Sequence, residues 1–313
     1  MERIVYLEYL EEFGCYGIAK SELIAMKEKN IVADIRMPQD KMPQTARNAP
    51  TLGMLLGQDS ANDGTEYYSI GQNYVTAAAN TGSKVRFLDF EQPTAEMKKC
   101  DGIILIGGVF NNPEEFYIDG KTMGDEIGKR YFAYRSIIHQ LHKDKKPVLG
   151  VCAGAQMLGS ILGNMKMYRN LKEEVPQHII HKPRAETDVR LHQIKLLKDT
   201  PIYDILGIDA SQTTLNINSR HTQGMVHTAL QDYVKGTPKV KMDLYAISSS
   251  DAIPEIWGNV NEGILCVQGH PEDLAAKGDK TMQKIYNHIA NLSSQYKRNH
   301  APKNLKVRES GRD

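Results

Sequence analysis

Cysteine is scarce in this chain. Four occur among 313 residues, Cys15, Cys100, Cys152 and Cys266. They stand far apart with no C-x-x-C pair, which argues against a disulfide scaffold or a cysteine-rich zinc site and points to a reducing cytoplasm. An excess of one charge is also lacking: 39 Lys and Arg face 38 Asp and Glu, a net charge of +1. No global imbalance marks a nucleic-acid or anionic-membrane partner. Apolar runs are short. The stretch from Gly102 to Val109 falls far below the roughly 18 residues of a membrane span. The opening segment, MERIVYLEYLEEFGCYGIAK, is interrupted by Glu8, Glu11 and Glu12, and does not read as a signal peptide. No internal repeat or low-complexity tract is present. The remaining composition, 41% hydrophobic and 25% charged, is that of a soluble globular protein of about one or two domains, with an enzyme as the leading class.

Three stretches can be distinguished. Residues 1–49 read as a helical arm and linker. Ile4, Leu7 and Leu10 recur at helical spacing, Gly14 and Gly17 break it, and Ser21 is placed to cap a second helix, SELIAMKEKN. Met37-Pro38 and Met42-Pro43 then favour extended chain. Residues 50–293 alternate strands and helices. TLGMLL, KVRFLDF, DGIILIGG and KPVLGVC suit buried strands, whereas Tyr67–Thr81, Arg130–Lys143 and AGAQMLGSIL read as helices. This alternation implies an α/β protein with a mostly parallel sheet covered on both faces. Beyond Met165 an added strand-rich part follows, VRLHQIKLL, TTLNINS, KMDLYAIS, PEIWGNV and GILCVQGH, before a closing helix over Asp279–Leu292. Residues 294–313 carry six Lys and Arg with few apolar residues, and read as a basic, flexible tail.

The chemistry concentrates in PVLGVCAGAQML, Pro147 to Leu158. A buried strand runs into Cys152, with Gly150 and Gly154 two residues away on either side. A G-x-nucleophile-x-G turn reverses the chain sharply and lifts the nucleophile above the sheet edge. The helix that follows points its N-terminus at the thiol and favours the thiolate. The Ala153 N–H is placed to stabilise an oxyanion. Cys15, Cys100 and Cys266 have no such setting and read as packing residues.

A thiolate that attacks an amide needs a general acid for the leaving amine. Among ten histidines, His270 is distinguished by its context, GILCVQGHPED. It follows a buried strand, and Glu272 two residues on can project from the same side to orient the imidazole. A third strand ends in LIGGVFNNPEEF, where Gly107-Gly108 can approach a substrate closely and supply a second oxyanion donor. The pair is not a dinucleotide fingerprint, because G-x-G-x-x-G is absent, and no metal motif such as H-E-x-x-H occurs.

With GGVFNNPEEF, GVCAGAQ, LNINSRHTQG and VQGHPE in this order, the chain resembles the class I glutamine amidotransferase superfamily. Within it, the chain is most similar to the gamma-glutamyl hydrolases of peptidase C26 type, which include gamma-glutamyl-gamma-aminobutyrate hydrolases. The resemblance spans about Pro50 to Ser293. It implies a flavodoxin-like class I glutamine amidotransferase fold. It also implies Cys152 as nucleophile, His270 as acid/base, Glu272 as its orienting partner, and the N–H groups of Gly108 and Ala153 as the oxyanion hole. Gln156, Asn218, Ser219, His221 and Gln223 fall at positions near the substrate. Two departures stand out. Gly269 replaces the tryptophan that commonly precedes the catalytic histidine, which removes a wall and would widen the site. The N-terminal arm has no counterpart in compact members.

The reaction implied is cysteine-dependent hydrolysis of a gamma-glutamyl amide bond through a thioester on Cys152. No metal or organic cofactor is required, and a small gamma-glutamyl molecule is the expected partner, with no nucleic acid or membrane. Two other readings stay open: a glutaminase component that supplies ammonia to a separate synthetase, and a non-catalytic binding protein that keeps the fold. Self-association through the N-terminal arm also stays open. The loops over Asn111–Gly128 and Lys172–Asp188 are the expected readers of the leaving group and carry no legible code.

Overall fold

The computed structural model describes residues 2–88, 93–108, 112–121, 129–176, 179, 181, 191–227 and 237–300. Val109, Phe110 and Asn111, residues 122–128, most of the second loop predicted to read the leaving group, and residues 301–313 lie outside this set.

The N-terminal stretch corrects the helical expectation. It opens with strands β1 (Glu2–Tyr6), β2 (Glu8–Leu10) and β3 (Cys15–Ala19), followed by helix α1 (Lys20–Glu28) and strand β4 (Val32–Arg36). Val5 and Leu7 are buried whereas Ile4 and Tyr6 are exposed, a two-residue alternation that overrides the three-residue spacing of Ile4, Leu7 and Leu10. The partner of β1 is β4, about thirty residues away and parallel, and a local window of sequence cannot reveal it. Helix α1 begins at Lys20 after Ala19, with no side-chain cap, so Ser21 lies inside it. It ends before Asn30, which takes a left-handed conformation.

The chain continues with β5 (Thr51–Leu55), β6 (Gly57–Ser60), β7 (Glu66–Gly71), α2 (Gln72–Ala79), β8 (Lys84–Leu88), α3 (Pro93–Met97) and β9 (Gly102–Leu105). Residues 67–81 are therefore not one helix: the first part is β7, with Tyr68, Ser69 and Ile70 buried, and the helix starts only at Gln72. Next come α4 (Lys129–Asp144), β10 (Val148–Val151), α5 (Ala153–Gly163), β11 (Met167–Tyr168), α6 (Leu171–Glu174), β12 (Leu191–Leu196), α7 (Ile202–Leu206), β13 (Thr214–Asn218) and β14 (Gly224–Met225). The chain closes with β15 (Asp243–Ser248), β16 (Pro254–Asn259), β17 (Ile264–Val267), α8 (Pro271–Ala276) and α9 (Lys280–His300). The last helix continues past Leu292, so Gln295–His300 is helical rather than tail.

Nine strands form the main sheet in the order β13-β12-β15-β16-β17-β10-β9-β5-β8. From β17 to β8 all pairs are parallel. Numbered by position in the chain, these five read 2-1-3-4-5 from the outer edge, the flavodoxin-like order. The four remaining strands join antiparallel and form the added strand-rich part. Alternate residues of the parallel strands feed two cores. Met54, Ile104, Leu149 and Leu265 pack with α2, α9 and the N-terminal strands, whereas Leu55, Ile103, Val148 and Cys266 pack with α4 and α5. A separate four-stranded sheet, β2-β3-β7-β6, joins the N-terminal stretch to the chain just ahead of α2. Among the described residues no helix is long and apolar enough to cross a membrane.

Candidate active site

The register of the parallel strands brings three loops together. Strand β10 lies between β9 and β17, with Gly150 opposite Leu105 and Val151 opposite Val267. The segments that leave the carboxyl ends of these strands therefore converge, the usual position of a site in an open α/β sheet. They carry Gly107-Gly108, Cys152 and Gln268–His270.

Cys152 has φ 52° and ψ −117°, a left-handed conformation that is strained for a non-glycine residue. Its N–H donates to Val267 O at 2.8 Å and its carbonyl accepts from Gln156 N at 3.0 Å. The residue is thus pinned both to the sheet and to the first turn of α5. A Cβ on Gly154 would collide with the Leu105 carbonyl, so only glycine lets α5 approach β9 this closely. Cys152 occupies the N-cap position of an eleven-residue helix without a side-chain cap bond, at the end where the helix field favours a negative charge.

His270 follows β17 and is buried. Its Nδ1 lies 2.6 Å from Glu272 Oε1, and its N–H donates to Asn218 Oδ1 at 3.1 Å. Burial opposes the imidazolium, but the Glu272 carboxylate and the Cys152 sulfur outweigh it and hold the pKa well above its ordinary value. Gly107 passes close to both side chains: a Cβ there would lie 3.0 Å from Cys152 Cβ and 3.2 Å from His270 Cε1. Thiol, imidazole and carboxylate thus stand in succession, an arrangement that can serve as nucleophile, proton carrier and orienting acid.

The Gly107-Gly108 turn is held from two sides. Gly107 N–H donates to Tyr74 Oη at 3.0 Å, and Gly107 O accepts from Arg130 Nη2 at 2.6 Å. Gly108 has φ 137°, a backbone conformation that favours glycine, and any side chain there would strike the Arg130 guanidinium. Tyr74 lies in the first turn of α2. Its burial, with Glu272 nearby, raises the phenol pKa well above the usual value and keeps it neutral.

Of the five residues expected near the substrate, three support this centre. Gln156 donates to Gln223 O at 3.2 Å and to Gln268 Oε1 at 3.1 Å, and Gln268 in turn donates to Cys152 Sγ at 3.9 Å. Asn218 links His270 N–H to Asp273, which also pairs with Arg220 and Asn73. Gln223 Nε2 donates to Tyr117 Oη at 3.3 Å. Ser219 and His221 are buried elsewhere, with contacts to His181, Glu255 and the Gln223 carbonyl. Sequence reasoning missed Tyr74, Arg130, Gln268 and Asp273. Gln268 and Asp273 flank His270 in the segment already singled out, whereas Tyr74 and Arg130 lie in helices with no local signal.

Gly269 is also explained. A Cβ there would stand 2.6 Å from Asn218 O and 2.7 Å from Ile217 Cδ1. Strand β13 fills the space, so the absence of a side chain is a close approach between backbones and not the widened wall expected.

Comparison with known proteins gives concordant results. The sequence model of the Peptidase C26 family matches residues 53–272. The chain is 24% identical over 223 residues to Protein NtpR of Enterococcus hirae, covering 69% of this chain and 85% of that one. It is 26% identical over 199 residues to a Schizosaccharomyces pombe protein named as a glutamine amidotransferase, covering 62% and 70%. Among solved structures, the glutaminase domain of Trypanosoma brucei CTPS with bound acivicin superposes with a TM-score of 0.50 at 16% identity, covering 79% of this chain and 94% of that one. At that identity the likeness concerns the fold.

Proposed function

The chain belongs to the peptidase C26 family, whose members are hydrolases of C–N bonds, and on that premise we propose that it cleaves a gamma-glutamyl amide through a thioester on Cys152. The observation that carries the reading is the alignment of Cys152, His270 and Glu272 at the carboxyl ends of adjacent parallel strands, with the thiol at a helix N-terminus. The Cys152 thiolate attacks the side-chain carbonyl carbon of the glutamyl group. The N–H groups of Gly108 and Ala153 receive the oxyanion. His270, held as imidazolium by Glu272, gives its proton to the leaving amine as the C–N bond breaks. The neutral imidazole then takes a proton from water, whose oxygen attacks the thioester and releases glutamate and the thiolate.

A second reading, a glutaminase that passes ammonia to a separate synthetase, is favoured by the likeness to the S. pombe glutamine amidotransferase. One screen separates the two. A panel of gamma-glutamyl amides, with free glutamine included, is incubated with wild-type and Cys152→Ala protein. The hydrolase reading expects amine release from gamma-glutamyl amides and a loss of about 10⁶-fold in kcat in the variant. Turnover of glutamine alone would refute it in favour of the glutaminase, and turnover that survives in Cys152→Ala would refute both.

A further inference from the structure

A second cluster of titratable side chains lies beside the catalytic centre and takes no part in the mechanism. It is built around Glu255 on β16, which is fully buried. One of its oxygens, Oε1, faces His192 Nε2 at 3.0 Å, His181 Nδ1 at 3.6 Å and His221 Nε2 at 3.8 Å. The other, Oε2, is buried with no hydrogen-bond partner, and so is His221 Nε2. The ring centroids of His192 and His221 lie 4.9 and 4.5 Å from that of His181.

The outer contacts fix where the ring protons sit. His181 Nε2 faces the Asp251 carboxylate at 2.8 Å, and His221 Nδ1 faces the Gln223 carbonyl at 2.7 Å. Both partners are acceptors, so these nitrogens carry the protons. His181 Nδ1 and His221 Nε2 then present lone pairs toward the Glu255 carboxylate. Ser219 Oγ lies 3.3 Å from His181 Nδ1 and can satisfy that nitrogen alone. Adding a proton to each ring would crowd positive charges together in a buried volume. One divalent ion would satisfy every lone pair and the carboxylate together.

We propose that His181 Nδ1, His192 Nε2 and Glu255, whose ligand atoms lie within 4.8 Å of one another, form a site for a divalent transition-metal ion, zinc by the chemistry of its ligands, and that His221 Nε2, now 3.8 Å from Glu255 Oε1, moves in to close it as the fourth ligand. Bonds of about 2.0–2.1 Å in tetrahedral geometry set neighbouring ligand atoms about 3.3 Å apart, and the three separations from Glu255 Oε1 bracket that value. Three imidazoles and a carboxylate suit zinc among divalent ions. Asp251 and the Gln223 carbonyl, bound to the far ring nitrogens, are the outer partners that orient histidine ligands. Four protein ligands leave no open position, which makes the ion structural. It joins β12, β16 and the loop after β13, the strand whose last residue, Asn218, accepts from His270 N–H. The spacing of the ligands, at 181, 192, 221 and 255, matches no sequence motif, so the expectation that no metal is required does not extend to this cluster.

The test uses full-length Cys152→Ala protein, which removes the catalytic thiol as a competing ligand. After chelation, the protein is titrated with Zn²⁺ against a chromophoric chelator, and Co²⁺ is added to a parallel sample. One Zn²⁺ per chain and the strong visible absorption of tetrahedral Co²⁺ are expected. Glu255→Gln and His221→Ala should each weaken Zn²⁺ binding at least about 100-fold, and Asp251→Asn about 10–100-fold. Circular dichroism of the chelated variants checks folding. Absence of stoichiometric Zn²⁺ in the folded protein would overturn the proposal, as would binding that Glu255→Gln and His221→Ala leave unchanged. If those variants do not fold, the Co²⁺ spectrum of the parent decides, and a weak octahedral band or none overturns it.

Discussion

Replacing Gly269 by alanine puts a Cβ 2.6 Å from the Asn218 carbonyl oxygen and 2.7 Å from Ile217 Cδ1. Carbon atoms at rest sit about 3.5–4.0 Å apart, so the neighbours must retreat by about 1 Å. Ile217 is fully buried and cannot swing clear. Asn218 ends β13, which is an edge strand of the main sheet, so the strand itself must give. Overpacking of this size costs about 1–3 kcal/mol. The displacement also pulls Asn218 Oδ1 away from His270 N–H, a contact of 3.1 Å. Urea unfolding of Gly269→Ala should therefore show a lower midpoint with an unchanged slope, and kcat should fall with it. Gly269→Trp should be worse on both counts. A Gly269→Ala protein within about 0.5 kcal/mol of wild type, or a Gly269→Trp protein with full activity, would refute this account and restore the widened wall.

The remaining predictions concern the centre itself. The pKa of His270 is raised above its ordinary value of 6.5. Its pairing thus stabilises the fold fully below about that pH and fades as pH rises through the raised value. Glu272→Gln is expected to move the alkaline limb of the kcat profile to lower pH and to reduce kcat about 10⁴-fold; an unmoved limb would show that Glu272 does not hold the proton on His270. Among the thiols, burial with Asp59 nearby pushes Cys15 up to about 11, burial pushes Cys100 up to about 12, and burial alone raises Cys266. Iodoacetamide at neutral pH should label Cys152 alone in the folded protein, with mass mapping as the readout; comparable labelling of any other cysteine would count against the assignment. Tyr74→Phe leaves Gly107 N–H without its acceptor. It should cost about 1–3 kcal/mol and lower kcat with KM little changed, whereas a change in KM alone would place Tyr74 in ground-state binding.

The parallel strands of the main sheet were legible because a strand buried on both faces reads as a continuous apolar run. TLGMLL, DGIILIGG and KPVLGVC became β5, β9 and β10. Cys152 and His270 stand out in the sequence because each follows such a run, and Glu272 because it lies two residues beyond His270. The N-terminal strands were not, because β1 and β3 depend on partners distant in sequence, β4 and β7, and short strands carry little propensity of their own. Tyr74 was hidden by the same error, since reading residues 67–81 as one helix concealed the break at Gly71 that places Tyr74 against Gly107. Gly269 was misread because a missing side chain looks like empty space until the chain that fills it, β13, is seen.

The four-stranded sheet has a bearing on where this protein could be cut. The span shared with the family, residues 53–272, begins after β3 and ends inside α8. Trimmed to that span, the chain would lose the strand paired along β7 from Tyr67 to Gly71, and with it α9, which buries Met282, Ile285 and Ile289 in the same core. The bared edge of β7 would be a template for intermolecular pairing, and α2, which carries Tyr74, would start from a frayed support. The inherited unit and the cooperative folding unit therefore differ in extent, and soluble expression of shortened chains should follow the second.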